Sequence, residues 1–92
     1  MNRAVPFPEA VNRAVRALRP GEVASYGEIA EDVGAPGAAR AVGNVLAGCD
    51  PTLPWWRVVR ADGRMAVGKE EDQARRLRAE GVDVRDGRVR IR

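Results

Sequence analysis

Ser25-Tyr26-Gly27-Glu28-Ile29-Ala30-Glu31-Asp32-Val33-Gly34-Ala35-Pro36-Gly37-Ala38-Ala39-Arg40-Ala41-Val42-Gly43-Asn44-Val45-Leu46 is the stretch that decides the fold. Ser25 with Glu28 three residues later is a capping box, in which each side chain satisfies a backbone N–H at the start of a helix. Ile29, Ala30 and Val33 supply that helix with a buried face, and Gly34 is placed to end it. A tight Gly-Ala-Pro turn follows. Pro36 suits the first turn of the next helix, whose residues Ala38, Ala41, Val42, Val45 and Leu46 are expected to face inward. Two short helices about such a turn make a helix-turn-helix.

Upstream, Phe7, Ala10, Val11, Ala14, Val15 and Leu18 recur at three-and-four spacing and predict another amphipathic helix, opened by Pro6 and Pro8 and closed by Pro20-Gly21. Downstream of Gly48 the chain reads as extended, because Pro51 and Pro54 oppose helix. Arg57-Val58-Val59-Arg60 reads as a short strand and Asp62-Gly63 as a turn. A fourth helix is expected from about Lys69 to Glu80, with Ala74 and Leu77 as its main apolar contacts. Val82, Val84, Val89 and Ile91 alternate around Asp86-Gly87, the pattern of a terminal hairpin. The expectation is one domain over residues 1–92, mainly α with a small β component.

The chain has 92 residues, enough for one modest core. Its net charge is +3, and fifteen of its sixteen cations are arginine, Lys69 being the single lysine. Arginine forks suit phosphates and base edges, although an arginine-rich composition produces the same bias. A basic domain is compatible with a polyanion without proving one. Cys49 is the one cysteine and there is no histidine, which rules out an internal disulfide and argues against a transition-metal site. No cofactor is expected. No signal peptide or membrane-spanning run is visible in these residues, so a cytoplasmic protein is expected.

Two features carry chemistry. Pro54-Trp55-Trp56-Arg57 places two adjacent indoles beside a cation, in a chain with only four aromatic residues. Such a corner either packs the core or receives a flat, apolar guest, but it holds no nucleophile. Opposite the apolar stripe of the third helix lie Pro36, Arg40, Gly43, Asn44 and Ala47. That slim face, with one long side chain in its middle, allows close approach to a narrow groove. The plain alternative is a solvated surface cation among locally small residues. Tyr26 could likewise pack on the first helix, and Arg57 could tie its loop to the last helix through Glu80 or Glu71. The arginines from Arg85 onward read as a solvated face, with contact to phosphate as the alternative.

Three segments together resemble a known family. Ala24-Ser25-Tyr26-Gly27-Glu28-Ile29-Ala30, Ala39-Arg40-Ala41-Val42-Gly43 and Pro54-Trp55-Trp56-Arg57-Val58-Val59 are similar, in order and near spacing, to the DNA-binding domain of O6-alkylguanine-DNA alkyltransferases. Those enzymes carry Pro-Cys-His-Arg where this chain has Pro54-Trp55-Trp56-Arg57. A branch of the family, the alkyltransferase-like proteins, has tryptophan at the cysteine position, and this chain resembles its members. The resemblance extends from about Phe7 to Val82 and implies a winged-helix-like helix-turn-helix domain of the alkyltransferase C-terminal type.

The resemblance also implies roles. Arg40 corresponds to a finger that enters the duplex from the minor groove and fills the space of an extruded nucleotide. Tyr26 corresponds to the tyrosine that helps rotate its phosphate. Trp55 lines a lesion pocket walled by the Val58-Val59 backbone, and Glu80 matches the end of the enzymes' Cys-His-Glu chain. The full expected contact set is Tyr26, Arg40, Ala41, Gly43, Asn44, Pro54, Trp55, Trp56, Arg57, Val58 and Val59. Trp56 replaces a histidine usually kept even in the alkyltransferase-like branch. Ala66-Val67-Gly68 lacks the serine of the enzymes' lid.

These correspondences imply a non-enzymatic sensor of O6-alkylguanine in double-stranded DNA. It would be a monomer, associated with the nucleoid when bound, that marks lesions for nucleotide-excision repair proteins. A sequence-specific helix-turn-helix regulator is the main rival, though major-groove readers usually present several long polar side chains. An alkyltransferase using Cys49 is a further rival, to be recognised by a mass gain on exposure to alkylated DNA.

Overall fold

The computed structural model describes residues 5–90. Helix α1 spans Phe7–Arg16, with Pro8 in its first turn, where no intrahelical N–H is required. Its Val11 and Val15 are buried, and Phe7, Ala14 and Leu18 pack against the same cluster. Helix α2, Tyr26–Asp32, opens with the expected capping box: Glu28 N donates to Ser25 Oγ at 3.0 Å and Ser25 N to Glu28 Oε1 at 2.8 Å. A cap of this kind contributes about 1 kcal/mol.

Helix α3 spans Ala39–Ala47, three residues later than Pro36 suggested. Gly37, at φ +88°, holds a left-handed conformation that a helix cannot include, so Pro36-Gly37 stays in the turn. A second correction concerns Ala41, expected to face inward. Val42 and Leu46, four apart, take the buried stripe, and Ala41 is exposed. The three helices close on Val11, Val15, Ile29, Ala30, Val42 and Leu46, joined by Leu53 and Val58. Each such side chain contributes about 1.5–3 kcal/mol by leaving water.

Strand β1, Ala24–Ser25, pairs in parallel with β2, Val58–Val59, in the register Ala24↔Val58 and Ser25↔Val59. Successive strand residues point to opposite faces. Val58 therefore enters the helical cluster, while Val59 enters a second one with Met65, Ala74, Leu77, Val84 and Val89. Strand β2 is the seam between the two. Just before it, Trp55–Arg57 forms one 3₁₀ turn, closed by Arg57 N donating to Pro54 O at 3.1 Å, rather than the extended chain expected. Pro54 precedes the turn and supplies only its carbonyl, so its missing N–H is no obstacle.

Helix α4 covers Glu70–Ala79, and β3, Val84–Arg85, pairs with β4, Arg88–Val89, as an antiparallel hairpin. Asp86 and Gly87 have φ of 55° and 75°, the two left-handed residues of a type I′ turn. Ile91, expected in this hairpin, lies outside the described residues, as does Arg92. Gly63 locks the Asp62-Gly63 turn onto β4: its carbonyl accepts from Val89 N at 2.8 Å, and a Cβ there would lie 2.9 Å from Val89 O. The described residues form a mainly α, winged-helix-like helix-turn-helix domain with two small sheets. No helix among them is long and apolar enough to cross a membrane.

Candidate nucleic-acid interface

The two indoles meet edge to face, with centroids 6.0 Å apart and planes at 89°. Cations surround them. The Arg76 guanidinium lies 4.8 Å from the Trp56 ring centre and 5.7 Å from that of Trp55, and Lys69 Nζ lies 5.5 Å from Trp55. Arg76 is itself held by Asp72, which Arg75 also grips. Both indoles remain half-buried, so neither is sealed in the core.

Glu80, at the end of α4, organises this corner. It accepts from Trp56 Nε1 at 2.9 Å, from Arg57 Nη2 at 2.7 Å and Nε at 3.0 Å, and from Gly21 N at 3.1 Å. Arg57 Nη1 also donates to Leu18 O at 2.9 Å. The carboxylate thus joins the loop after α1, the indole turn and α4. The Arg57 hydrogen bonds above all, then Trp56 and Gly21, hold its pKa at about 2 despite its burial. Arg57 is therefore an internal brace to Glu80, and its side chain is only 11% exposed.

Gln73 is the residue that sequence reasoning missed. It is fully buried on a helix that reads as charged almost all round. Its Nε2 donates to Trp56 O at 3.0 Å and Val58 O at 2.8 Å, and its Oε1 accepts from Ala66 N at 2.7 Å. It pins the loop before α4 to the indole turn. Its position four residues before Leu77, on one helical face, was the signal available.

On α3, Arg40, Ala41, Asn44 and Ala47 are exposed and Gly43 is half-buried. A Cβ at Gly43 would meet nothing within 4 Å. Glycine inside a helix costs about 1 kcal/mol relative to alanine, and no internal packing here requires it. Tyr26 is half-buried against the helical cluster, and that burial raises its phenol pKa while Arg60 opposes the rise. Pro54, Val58 and Val59 are buried, leaving their backbone rather than their side chains to border a guest. The Arg40 helix packs on α1 and α2, whereas the indole turn packs on α4.

Two depressions lie away from Arg40 and Trp55, at the hairpin and at the parallel sheet. One of about 440 Å³ is bordered by Asp62, Gly63, Arg88 and Arg90; the other, of about 170 Å³, by Ser25, Glu28, Val59 and Arg60. Cys49 is half-buried beside the helical cluster, and burial raises its thiol pKa, the opposite of an activated nucleophile.

A helix-turn-helix with a slim, arginine-bearing face and, in the same domain, an indole corner braced by a carboxylate define a DNA-binding domain of the alkyltransferase type. Residues 6–82 match the family "6-O-methylguanine DNA methyltransferase, DNA binding domain", and the chain belongs to that family. It is 41% identical over 88 residues to the DNA base-flipping protein of Escherichia coli (strain K12), which covers 91% of this chain and 68% of that protein. It also aligns with a crystal structure of S. pombe Atl1 in complex with damaged DNA containing O6-carboxymethylguanine, with a TM-score of 0.84 and 33% identity over 100% of this chain and 93% of the other. To the methylated-DNA–protein-cysteine methyltransferase of Mycobacterium tuberculosis it is 44% identical over 66 residues, 68% of this chain but 39% of that enzyme. The resemblance to alkyltransferase-like proteins drawn from the sequence thus stands.

Proposed function

We propose that this protein is a non-enzymatic receptor for O6-alkylguanine in duplex DNA. It approaches through the minor groove with α3, rotates the lesion out of the stack and holds it against Trp55. The observation that carries this reading is the indole corner itself. By the resemblance of the Pro54-Trp55-Trp56-Arg57 motif, Trp55 takes the place of the enzymes' thiol and Trp56 that of its base. Alkyl transfer needs a thiolate and a group to activate it, and the turn Pro54-Trp55-Trp56-Arg57 holds neither a cysteine nor a histidine. Binding needs neither group, and the exposed Arg40 face of α3 and the half-buried Trp55 support it.

Extruding a base costs a few kcal/mol, least for a lesion that has lost its pairing edge. Contact with Trp55 returns about 1–3 kcal/mol. Arg40 fills the vacated stack, and the cost of Gly43 within α3 is offset by the close approach it permits. The broader contact set comprises Tyr26, Ala41, Asn44, Pro54, Trp56, Arg57 and the Val58-Val59 backbone. Arg57 and Trp56 serve within it by bracing Trp55 through Glu80. The protein acts as a monomer in the cytoplasm, at the nucleoid when bound, and its complex marks the site for nucleotide-excision repair proteins.

The test compares a duplex containing O6-methylguanine with its undamaged twin at one salt concentration. The lesion duplex is expected to bind at least tenfold tighter. Equal affinities would overturn the proposal.

A further inference from the structure

The terminal hairpin carries a feature that the lesion site does not use. Arg85 lies directly opposite Arg88 across β3 and β4, and Arg88 lies opposite Arg64 through an antiparallel bridge on its other side. Residues opposite one another in antiparallel pairs project from the same face. Three guanidinium groups therefore stand in register on neighbouring strands, about 4.8 Å apart at the backbone. Like charges placed opposite one another destabilise a sheet. Arg64 and Arg85 each have one aspartate, Asp62 at 3.3 Å and Asp83 at 3.0 Å, both exposed pairs. Arg88, in the middle, has no ion pair among the described residues. Asp62 also feels the charges of Arg60 and Arg88, but two aspartates beside the three arginines leave the row with an excess of positive charge.

The row is continuous with the helix-turn-helix. Ser25 pairs with Val59 in the parallel sheet, so the next residues, Tyr26 and Arg60, leave it side by side. The positive charge of Arg60 is felt at the Tyr26 phenol. From Arg60 the chain turns back on itself, Arg60 N donating to Arg64 O at 2.9 Å, and delivers Arg64 to the row.

We propose that Arg64, Arg88 and Arg85 form a phosphate-binding row that grips the duplex backbone away from the lesion, with Arg60 linking it to Tyr26. Charge and spacing favour a phosphodiester chain, a regular array of single negative charges. The row contributes affinity without regard to sequence or damage. This inference rests on the reading of the chain as a DNA-binding protein, but not on its preference for alkylated guanine.

The experiment measures binding to damaged and undamaged duplexes across a series of salt concentrations. Each lost phosphate contact lowers the slope of log K against log salt by about 0.9. The variant with Arg64, Arg85 and Arg88 all changed to Gln is expected to lose about 2 to 3 from that slope on both duplexes. The ratio between the duplexes stays unchanged, and relieved repulsion leaves thermal stability equal or higher. Arg88→Glu alone, which disturbs no ion pair, lowers the slope by about 1 or more. An unchanged slope would overturn the proposal and leave the row to an acidic protein surface. A loss confined to the lesion duplex would also overturn it, by placing the row in the pocket. Equal wild-type affinities with a slope that still falls would sink the lesion preference and leave the row standing.

Discussion

Trp56 Nε1 donates to Glu80 Oε2 at 2.9 Å, and the same carboxylate oxygen accepts Arg57 Nη2 at 2.7 Å. An indole N–H is a donor only, whereas an imidazole also accepts. With Trp56 at this position the carboxylate stays satisfied and the turn keeps its shape, while no group remains that could take a proton from a neighbour. The pairing ties the indole turn to the end of α4.

Glu80 should make the protein acid-sensitive. Its folded pKa of about 2 lies below the ordinary 4.5, so its contribution to stability is complete above pH 4.5 and is lost as the pH falls through 2. The depression corresponds to about 3 kcal/mol. Urea denaturation between pH 6 and pH 2 should show wild-type stability falling over that window. Glu80→Gln should cost about 2–3 kcal/mol at pH 7, by leaving Arg57 without its counter-charge, and should flatten the profile. An equally steep profile in the variant would reassign the acid sensitivity.

Gln73→Leu should destabilise more than its place on a charged helix suggests. The change leaves Ala66 N, Trp56 O and Val58 O without the partners they have now. Orphaned buried groups cost about 1–3 kcal/mol each, so a loss of about 3 kcal/mol in urea denaturation is expected. A loss below about 1 kcal/mol would mean that the site repacks.

Arg40→Ala and Trp55→Ala should separate stability from recognition. Arg40 is exposed, so its removal should leave the melting temperature within a degree or two. Lesion binding should weaken about tenfold and undamaged binding much less. Trp55→Ala should reduce lesion affinity by about 1–3 kcal/mol, a loss of roughly five- to 150-fold. Equal losses on both duplexes for Arg40→Ala would remove its role as a finger.

Restoring sulfur should not restore transfer. Trp55→Cys places a thiol beside Trp56, which cannot act as its base, and Cys49 has a thiol pKa raised by burial. Intact-mass measurement after incubation with O6-methylguanine DNA should show no added methyl group on either protein. A methyl adduct on the wild type would establish Cys49 as an acceptor.

The residues that announced themselves were those whose structure is local. The Ser25–Glu28 box, Gly34, the three-and-four stripe through Val11 and Val15, and Asp86-Gly87 each act within a few positions, and all appear in the structure. What escaped depended on partners far along the chain. Strand β1 is two residues long, too short to alternate, and exists because Val58–Val59 lies beside it. The 3₁₀ turn at Trp55–Arg57 follows from the bonds that Glu80 and Gln73 make to it. Gln73 itself reads as one more polar residue until the backbone groups above it are in view.

The candidate site divides in the same way. The paired indoles Trp55 and Trp56 and Arg40 on a slim helix face were legible in the linear order, because residue type and helical spacing are local. The tie of Arg57 to the last helix was also legible, but the choice of Glu80 over Glu71, the donor role of Trp56 and the row of Arg64, Arg88 and Arg85 were decided only by tertiary structure. Hydrogen bonds and like-charge contacts depend on distances between segments tens of residues apart, and those distances are set when β2 joins the two cores.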